Sequence, residues 1–291
     1  MSHKAGFVNI IGSPNVGKST LMNKLVGEKL SIITSKMQTT RHRILGIVND
    51  DNYQIVFSDT PGIIDPGYKL HENMMKFVSE AIKDADILIV MTDIYESTEK
   101  LKDRIEKLAH LEIPDLVLIN KIDQSDAEKL VEQVDAWKLL LPKAEILPIS
   151  ALHNLGADFI LPRIVELLPA SPAYYGKDEL TNRNTRFFIS EIIREKILLQ
   201  FKKEIPYSCE VVVEEYKEEE KIIKIRANIM VSRDSQKGIL IGHKGEKIKQ
   251  LGIASRLDIE KFVDNKVHLE LFIKVDKDWR NKEDKLKKYG Y

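Results

Sequence analysis

The sequence predicts two domains: an α/β domain with a mostly parallel sheet and one antiparallel edge strand, followed by a smaller α+β domain. Three observations lead to this prediction. Short, wholly apolar segments such as Ile87–Met91 alternate with helical patterns, which is typical of parallel strands covered on both faces. Prolines interrupt the patterning between Leu168 and Gly176. Beyond this break the elements follow the order α-β-β-α-α-β.

The first domain is predicted to begin with a strand at Gly6–Ile11 and a helix at Ser19–Val26. Two β-patterned runs, Arg43–Asn49 and Tyr53–Ser58, flank a polar stretch at 50–52, which indicates a hairpin and hence the antiparallel edge strand. The remaining predictions are helices near 70–83, 99–110 and 127–140 and strands at 87–91, 116–119 and 146–149.

The predicted division is a first domain at 1–170, a linker at 171–186 and a second domain at 187–291. Within the second domain we expect a helix at 187–200, strands at 208–214, 222–231 and 267–275, and a basic helical tail at 279–289. A charged turn at Glu218–Lys221 separates the first two strands.

Composition limits the function classes. The 291 residues carry 45 Lys+Arg and 45 Asp+Glu, so net charge alone indicates no partner. From Arg186 to Tyr291, however, 24 basic residues face 19 acidic ones, which favours a polyanionic partner only weakly, because ordinary surface variation explains this excess equally well. The single Cys209 excludes an internal disulfide and fits a reducing compartment. Because we find no membrane-spanning apolar run and no signal peptide, we expect a cytoplasmic protein.

The residues that follow the first strand match the P-loop pattern G-x-x-x-x-G-K-[ST]. They are Gly12, Ser13, Pro14, Asn15, Val16, Gly17, Lys18 and Ser19, and Thr20 continues the same phosphate-binding segment. The glycines let backbone N–H groups surround phosphate oxygens, and the helix that starts here directs its positive end toward them. Lys18 adds charge for the outer phosphates, and Ser19 can ligate Mg²⁺.

A second candidate loop, Asp59-Thr60-Pro61-Gly62, ends a predicted strand about forty residues after the P-loop. Asp59 can hold Mg²⁺ through water, and the Gly62 N–H can reach a γ-phosphate that only one nucleotide state contains. The polar loop before the hairpin offers Thr39 and Thr40. We favour the hydroxyl of Thr40 for completing the Mg²⁺ shell and contacting the γ-phosphate.

The segment Asn120-Lys121-Ile122-Asp123 ends another apolar strand and predicts the base. The Asp123 carboxylate can accept hydrogen bonds from guanine N1–H and the 2-amino group, whereas adenine offers neither donor. Sites that require such bonds discriminate by roughly 10⁴–10⁵. Asn120 would brace the P-loop, and Lys121 would lie along the base. Ser150-Ala151, after the next strand, can offer a backbone N–H to guanine O6.

In the second domain, Gly242-His243-Lys244-Gly245 matches the Gly-x-x-Gly loop of a KH domain. Its glycines allow the backbone of single-stranded RNA to approach, and Lys244 can meet a phosphate. The predicted RNA-binding residues are Lys237, Ile241, Gly242, His243, Lys244, Gly245 and Lys247.

In this order the nucleotide motifs resemble those of the translation-factor-related GTPases. The P-loop, the segment Ser35–Arg41 and the KH-like second part together resemble the Era family over nearly the whole chain. The resemblance implies GTP and GDP as ligands with Mg²⁺. It also implies the 3′ end of small-subunit (16S) ribosomal RNA as the partner during 30S subunit assembly, and a type II KH domain. Peripheral contact with the inner membrane is a further expectation, for which the Lys282–Lys288 tail could serve. A solvated helix is equally compatible, because Glu283-Asp284 interrupts the tail. A monomer is expected.

Ile63 follows Gly62, where Ras-like enzymes place a water-orienting glutamine, so slow intrinsic hydrolysis is expected. The resemblance suggests that Asn15 ligates a K⁺ ion that supplies the missing charge. Two other functions stay open at this point. Ile63 would also suit an RNA-binding scaffold in which the nucleotide is structural. The third possibility, a P-loop metabolite kinase, is disfavoured because a kinase does not require the guanine selection that Asp123 offers.

Overall fold

The computed structural model describes residues 3–98 and 115–291, so the predicted helix near 99–110 lies outside the described residues. The internal contacts divide the chain into two compact units. The first unit comprises Met1–Ser31, Thr40–Ile64 and Met75–Asn182. The second comprises Ile32–Thr39, Asp65–Met74 and Arg183–Tyr291.

A six-stranded sheet forms the centre of the first unit, with the strand order β2-β3-β1-β4-β5-β6. The strands are β1 (Lys4–Ile11), β2 (Ile44–Asn49), β3 (Tyr53–Asp59), β4 (Ile87–Asp93), β5 (Asp115–Asn120) and β6 (Glu145–Pro148). All neighbouring pairs are parallel except β2 with β3, which confirms the predicted hairpin and antiparallel edge strand. All seven residues of β4 are buried, which explains its continuous apolar sequence.

Four described helices are assigned along this part of the chain: α1 (Lys18–Val26), α2 (Lys69–Lys83), α3 (Ala127–Leu140) and α4 (Ile160–Leu167). The Asp126 carboxylate starts α3 by accepting a hydrogen bond from the Lys129 N–H, and Trp137 of the same helix is fully buried in the core. We did not predict α4, which follows a 3-10 turn at Ala157–Phe159. Its buried residues, Ile160 and Ile164, repeat at helical spacing.

The segment after Leu168 lies along the first unit. The Gln54 side chain accepts hydrogen bonds from the N–H groups of Tyr174 and Tyr175, at 2.7 and 3.0 Å. The Ile47 N–H donates to the Leu180 carbonyl at 2.8 Å. Because β2 is an edge strand, its outward backbone groups need such partners, and residues up to Asn182 are therefore anchored here.

The second unit contains a three-stranded sheet of order β7-β8-β9, in which β7 and β8 are antiparallel and β8 and β9 parallel. The strands are β7 (Cys209–Glu219), β8 (Ile222–Val231) and β9 (Val267–Val275). The helices of residues 183–291 are α5 (Thr185–Gln200), the short α6 (Ile205–Ser208), α7 (Asp234–Ile241), α8 (Glu246–Val263) and α9 (Glu283–Lys288). Helix residues such as Ile193 and Leu251 share one apolar core with strand residues such as Ala227, which confirms the predicted KH-type order.

Strand β7 extends to Glu219, beyond the predicted end at Glu214, and the turn is correspondingly shorter. Ion pairs between the strands account for the extension. The Arg226 guanidinium lies 3.3 Å from the Glu215 carboxylate, and the Lys224 ammonium lies 2.9 Å from Glu219. The charged residues at the end of β7 therefore form cross-strand ion pairs with β8 and belong to the sheet, not to a loop.

The C-terminal tail is folded against this unit. Trp279 is buried and donates its indole N–H to the Ser208 carbonyl at 3.1 Å, and Leu286 of α9 is also buried. Tyr291 donates its hydroxyl to the Glu210 carboxylate at 2.6 Å. The predicted basic helix thus has an apolar side that contributes to packing. In the part of the chain that the structure describes, no helix is long and apolar enough to cross a membrane.

Candidate nucleotide and RNA sites

The P-loop lies between β1 and α1, where the sheet's carboxyl edge meets a helix N-terminus. Lys18 is buried, and its ammonium donates to the carbonyls of Gly12 and Ser13 at 3.0 and 2.8 Å. Burial lowers the Lys18 pKa to about 8, while the charges of Asp59 and Glu96 oppose that shift. These hydrogen bonds hold the lysine in place for phosphate. Because its pKa is still lowered, the charges of Asp59 and Glu96 offset only part of the cost of burying the ammonium.

Gly17 makes close packing of this loop possible. Its φ of 109° is in the region that side chains rarely adopt, and a Cβ there would lie 2.3 Å from the Asn120 amide nitrogen. Asn120 is buried; its amide donates to the Val16 carbonyl at 2.7 Å, and its oxygen accepts from the Ala151 N–H at 2.8 Å. One side chain thus joins the P-loop to the Ser150-Ala151 loop.

Three predicted metal-site residues come together. The Ser19 hydroxyl donates to Asp59 Oδ2 at 2.7 Å and lies 3.0 Å from the Thr40 hydroxyl, which lies 3.3 Å from the same carboxylate oxygen. Asp59 is fully buried, its pKa is raised by that burial, and its Oδ1 has no hydrogen-bond partner. A buried carboxylate with a free oxygen beside two hydroxyls is the kind of oxygen set that Mg²⁺ binds. The arrangement therefore fits the expected metal.

Among residues 3–98 and 115–291, no group of three or more His, Cys, Asp or Glu side chains could hold a metal ion. The magnesium candidate consequently depends on the mixed set of one carboxylate and two hydroxyls. Thr39, the other threonine considered, is engaged differently. Its hydroxyl lies 2.7 Å from that of Thr34 and donates to the Lys36 carbonyl at 2.6 Å, so it stabilises its own loop segment.

The loop after β3 is tied to the P-loop. Thr60 is buried and donates its hydroxyl to the Ile10 carbonyl at 2.8 Å, and the Ile63 N–H donates to the Gly12 carbonyl at 3.0 Å. Pro61 and Gly62 lie between these two anchors, and a Cβ on Gly62 would meet Pro14 at 2.7 Å. The Ile63 side chain packs in part against the apolar core, so it offers no polar group for water.

The base-recognition loops meet at the ends of β5 and β6. Ser150 and Ala151 are fully buried. A hydrogen bond from Ser150 is the main reason why the Asp123 pKa is lowered from its ordinary value. Asp123 therefore remains an ionised acceptor at neutral pH, as recognition of guanine N1–H and N2 requires.

Two residues near these loops were not singled out from the sequence. Asp93, at the end of β4, pairs with the Lys121 ammonium at 2.5 Å. His153 Nε2 lies 3.6 Å from Asp123 Oδ2. The strand register places Asp93 directly opposite Asn120, so a carboxylate that ends the neighbouring apolar strand was an available signal. For His153 the sequence held only its closeness to Ser150.

In the second unit, the Gly-x-x-Gly loop connects α7 to α8. Lys237 and Ile241 lie half-buried on α7, and His243, Lys244 and Lys247 are exposed. Lys244 has a φ of 47°, a left-handed conformation that helps the chain turn between the two helices. The predicted basic residues thus surround an accessible loop.

A groove of about 340 Å³ lies between α8 and β9. It is lined by Ile248, Lys249, Gly252, Ile253, Arg256, Leu269 and Leu271. Ile253 is nearly half exposed, so an apolar strip is available beside basic side chains. Apolar surface suits unstacked bases and the basic groups suit phosphates. The RNA-binding residues predicted from the sequence lie at the loop end of this surface.

Comparison with known proteins gives matches to both units. The family model of 50S ribosome-binding GTPases matches residues 7–121, and the KH domain model matches residues 204–280. GTPase Era of Syntrophus aciditrophicus (strain SB) is 45% identical over 292 residues, covering 99% of this chain and 95% of the relative. The chloroplastic GTPase ERA1 of Zea mays is 44% identical, covering 100% of this chain and 71% of the relative.

Two solved structures are similar over the whole chain. One is Era in complex with MgGDPNP and nucleotides 1506–1542 of 16S ribosomal RNA, with a TM-score of 0.93, 36% identity and 99% coverage of both chains. The other is a variant of Aquifex aeolicus Era bound to GDP and AlF4⁻, with a TM-score of 0.92, 36% identity and the same coverage.

Proposed function

Since this chain belongs to the Era family of GTPases, we propose that it is a GTP-driven switch that binds the 3′ end of small-subunit (16S) ribosomal RNA during 30S subunit assembly. Its reaction is the hydrolysis of GTP to GDP and phosphate. The observation that supports the proposal most directly is the convergence of Ser19, Thr40 and Asp59 in a chain that also carries an accessible Gly-x-x-Gly loop. The Era structure with MgGDPNP and 16S rRNA nucleotides supports the RNA partner.

The roles proposed for the nucleotide-site residues follow from their positions. Lys18 neutralises the outer phosphates, and the Gly62 N–H donates to the γ-phosphate, whose charge is spread over its oxygens in the transition state. Ser19, Thr40 and Asp59 would hold Mg²⁺, which supplies positive charge for the phosphate oxygens when bound. Asp123 reads the guanine edge, and Lys121, kept in place by Asp93, lies along the base. The Ala151 N–H donates to the Asn120 side-chain oxygen, and we propose that it also donates to guanine O6.

Intrinsic hydrolysis is proposed to be slow because Ile63 cannot orient a water molecule. We propose that Asn15, which is exposed in the P-loop with a φ of 65°, ligates K⁺ that supplies part of the missing charge. Phosphate release should then be faster in potassium than in sodium buffer, and Asn15→Ala should remove the difference. Equal rates in both buffers for the unmodified protein would exclude the K⁺ role without affecting GTP binding.

The proposed division of labour is nucleotide binding by residues 1–170, a linker at 171–186 and RNA binding by residues 187–291. The protein is proposed to act as a monomer in the cytoplasm, where ribosomal subunits are assembled. Peripheral contact of the Lys282–Lys288 tail with the inner membrane is also proposed. Co-sedimentation with vesicles of anionic lipid, compared with uncharged vesicles, tests that contact.

The RNA proposal is tested with Gly245→Asp. Gly245 has a φ of 78°, so any side chain there strains the backbone, but no heavy atom lies within 4 Å of a Cβ and an aspartate adds negative charge to the loop. We expect loss of binding to an oligonucleotide of the 16S 3′ end, with GTP affinity unchanged. Gly27→Asp is the matched control, because Gly27 has a similar φ of 83° and equally open surroundings in the first unit.

Three results would contradict parts of the proposal. Loss of GTP binding together with RNA binding in Gly245→Asp would contradict the division into two sites. Failure of the unmodified protein to bind the oligonucleotide would remove the RNA partner. Equal competition by ATP and GTP for the nucleotide site would remove the guanine role of Asp123.

A further inference from the structure

A cluster of polar side chains in the first unit surrounds Arg43, the residue that directly precedes β2. The Arg43 Nε–H donates to the Ser58 hydroxyl at 2.6 Å. The two terminal nitrogens of the guanidinium donate to the two carboxylate oxygens of Asp84 at 2.6 and 2.9 Å, and one of them lies 3.3 Å from the side-chain oxygen of Asn9. Only 14% of the Arg43 side chain is exposed. A bidentate pair with a further contact fixes both the position and the plane of a guanidinium.

The partners of Arg43 are themselves held in place. Asn9 of β1 is fully buried, and its amide donates to the Ala81 carbonyl and, at 2.8 Å, to Asp84 Oδ1. Asp84 directly follows the last residue of α2, and Ser58 is fully buried in β3. Arg43 is therefore attached to two strands of the sheet and to one helix end. Side chains on such elements position a neighbour more precisely than side chains on loops.

The cluster is adjacent in sequence to two of the residues proposed to hold Mg²⁺. Ser58 directly precedes Asp59, and the position of Asp59 is fixed because β3 pairs with a strand on each side at this residue. Thr40, by contrast, lies outside the strands, three residues before Arg43. Three residues span about 11 Å at most. The attachment of Arg43 to β3 therefore limits where the Thr40 hydroxyl can lie relative to the Asp59 carboxylate.

We propose that Arg43 is a positioning residue for Mg²⁺. By holding the chain that follows Thr40 against β3, it keeps the Thr40 hydroxyl 3.3 Å from Asp59 Oδ2 and 3.0 Å from the Ser19 hydroxyl. This inference rests on the proposed function, because it requires that these three residues hold the metal. Replacement of residues that orient metal ligands typically lowers metal affinity about 10- to 100-fold. Lysine at position 43 keeps the charge but has no planar fork, so it cannot make the same set of contacts.

The test measures the Mg²⁺ concentration at which the binding of a non-hydrolysable GTP analogue is strengthened half-maximally, in a fluorescence titration. Arg43→Lys should raise that concentration about tenfold or more. The affinity for GDP in the presence of EDTA should not change, because Thr40 is not among the residues proposed to contact the base or the diphosphate. A general weakening of the first unit would instead lower the affinity in both measurements.

Ser58→Ala is a second variant with a milder change. It removes only the hydroxyl that accepts from the Arg43 Nε–H and keeps the ion pair with Asp84. The Mg²⁺ requirement should rise in the same direction, but by less than in Arg43→Lys. Thermal unfolding midpoints verify that both variants are folded. If Arg43→Lys does not fold, Ser58→Ala decides the question.

Arg163→Lys is the matched control. The Arg163 guanidinium also forms two ion pairs in the first unit, at 2.7 Å from Glu145 and 2.6 Å from Glu166. Glu145 belongs to β6, however, which lies at the opposite edge of the sheet from β2. The control makes the same chemical change far from the metal site, so the Mg²⁺ requirement should stay the same.

A double-mutant cycle tests whether Arg43 acts through Thr40. Thr40→Ala removes the hydroxyl that Arg43 is proposed to position, and this variant should itself raise the Mg²⁺ requirement. In the double variant, which combines Thr40→Ala with Arg43→Lys, the requirement should equal that of Thr40→Ala alone, because there is no longer a hydroxyl to position.

Three outcomes would overturn the inference. An unchanged Mg²⁺ requirement in Arg43→Lys, or in Ser58→Ala if only that variant folds, would exclude the positioning role. Increases that multiply in the double variant would show that Arg43 acts independently of Thr40. Loss of GDP affinity in EDTA would identify Arg43 as a general structural residue. If Mg²⁺ does not strengthen analogue binding to the unmodified protein, the proposed metal site itself is rejected, and this result is distinguishable because it involves no variant.

Discussion

Replacement of Asn120 by alanine should weaken the first unit and its nucleotide site together. Asn120 makes two buried hydrogen bonds, to the Val16 carbonyl at 2.7 Å and from the Ala151 N–H at 2.8 Å. Alanine leaves both backbone groups without that partner, at about 1–3 kcal/mol each. Allowing for water that enters the vacated space, we expect the free energy of unfolding to fall by about 2–4 kcal/mol. This corresponds to a midpoint roughly 4–16 °C lower.

The assay is thermal unfolding with and without GDP, together with a fluorescence titration of GDP. GDP affinity should also fall, because the P-loop and the Ser150-Ala151 loop lose their shared brace. Asn52→Ala is the control: Asn52 is exposed in the turn between β2 and β3, so loss of its side chain should have little effect. If Asn120→Ala unfolds at the normal temperature and binds GDP within twofold of the unmodified protein, the bracing argument is refuted.

Three further predictions concern the charge, the base and the RNA groove. The Lys18 pKa is lowered to about 8, and phosphate binding requires the protonated ammonium. GTP affinity should therefore be steady below pH 8 and fall above it by up to about tenfold per pH unit. A series of GTP titrations in which the affinity stays constant up to about pH 9.5 would contradict this prediction. Asp123→Asn presents an amide to two guanine donors and should weaken GTP binding about 10²–10⁴-fold. The loss of affinity should be smaller for xanthosine triphosphate, because its 2-oxo group can accept a hydrogen bond from the amide. Competition binding with the two nucleotides measures both losses. Ile253→Asp should lower RNA affinity roughly tenfold or more through phosphate repulsion in filter binding, whereas Leu139→Asp, on the strongly exposed face of α3, should leave RNA affinity unchanged.

The order of elements could be predicted because the signals are local. The apolar run of β4 and the period of α3 each depend on a few neighbouring residues, and the structure places both close to their predicted bounds. The sequence predicts too short a strand β7, because the charged half of the strand is typical of a turn. The partner strand β8 supplies Lys224 and Arg226, and their ion pairs with Glu219 and Glu215 stabilise the charged half of β7 as part of the sheet.

The grouping of the candidate nucleotide-site residues can be predicted to the extent that a motif fixes their spacing. Ser19 and Asp59 each follow from a short pattern, and the parallel sheet brings the ends of their strands to one edge. The partners of the motif residues come from separate segments, however. Asp93 beside Lys121 depends on strand register, which no local pattern in the sequence specifies.

The loop around Thr40 shows most clearly what a segment-by-segment interpretation leaves out. A sequence is divided at linkers, so residues 32–39 are grouped with the helix and strand that flank them. Packing follows different contacts: Thr39 belongs to the second unit and Thr40 to the first. A peptide group at that division is already held by Arg194. The Arg194–Thr39 hydrogen bond joins residues 155 positions apart in the sequence, so no local pattern could have predicted it.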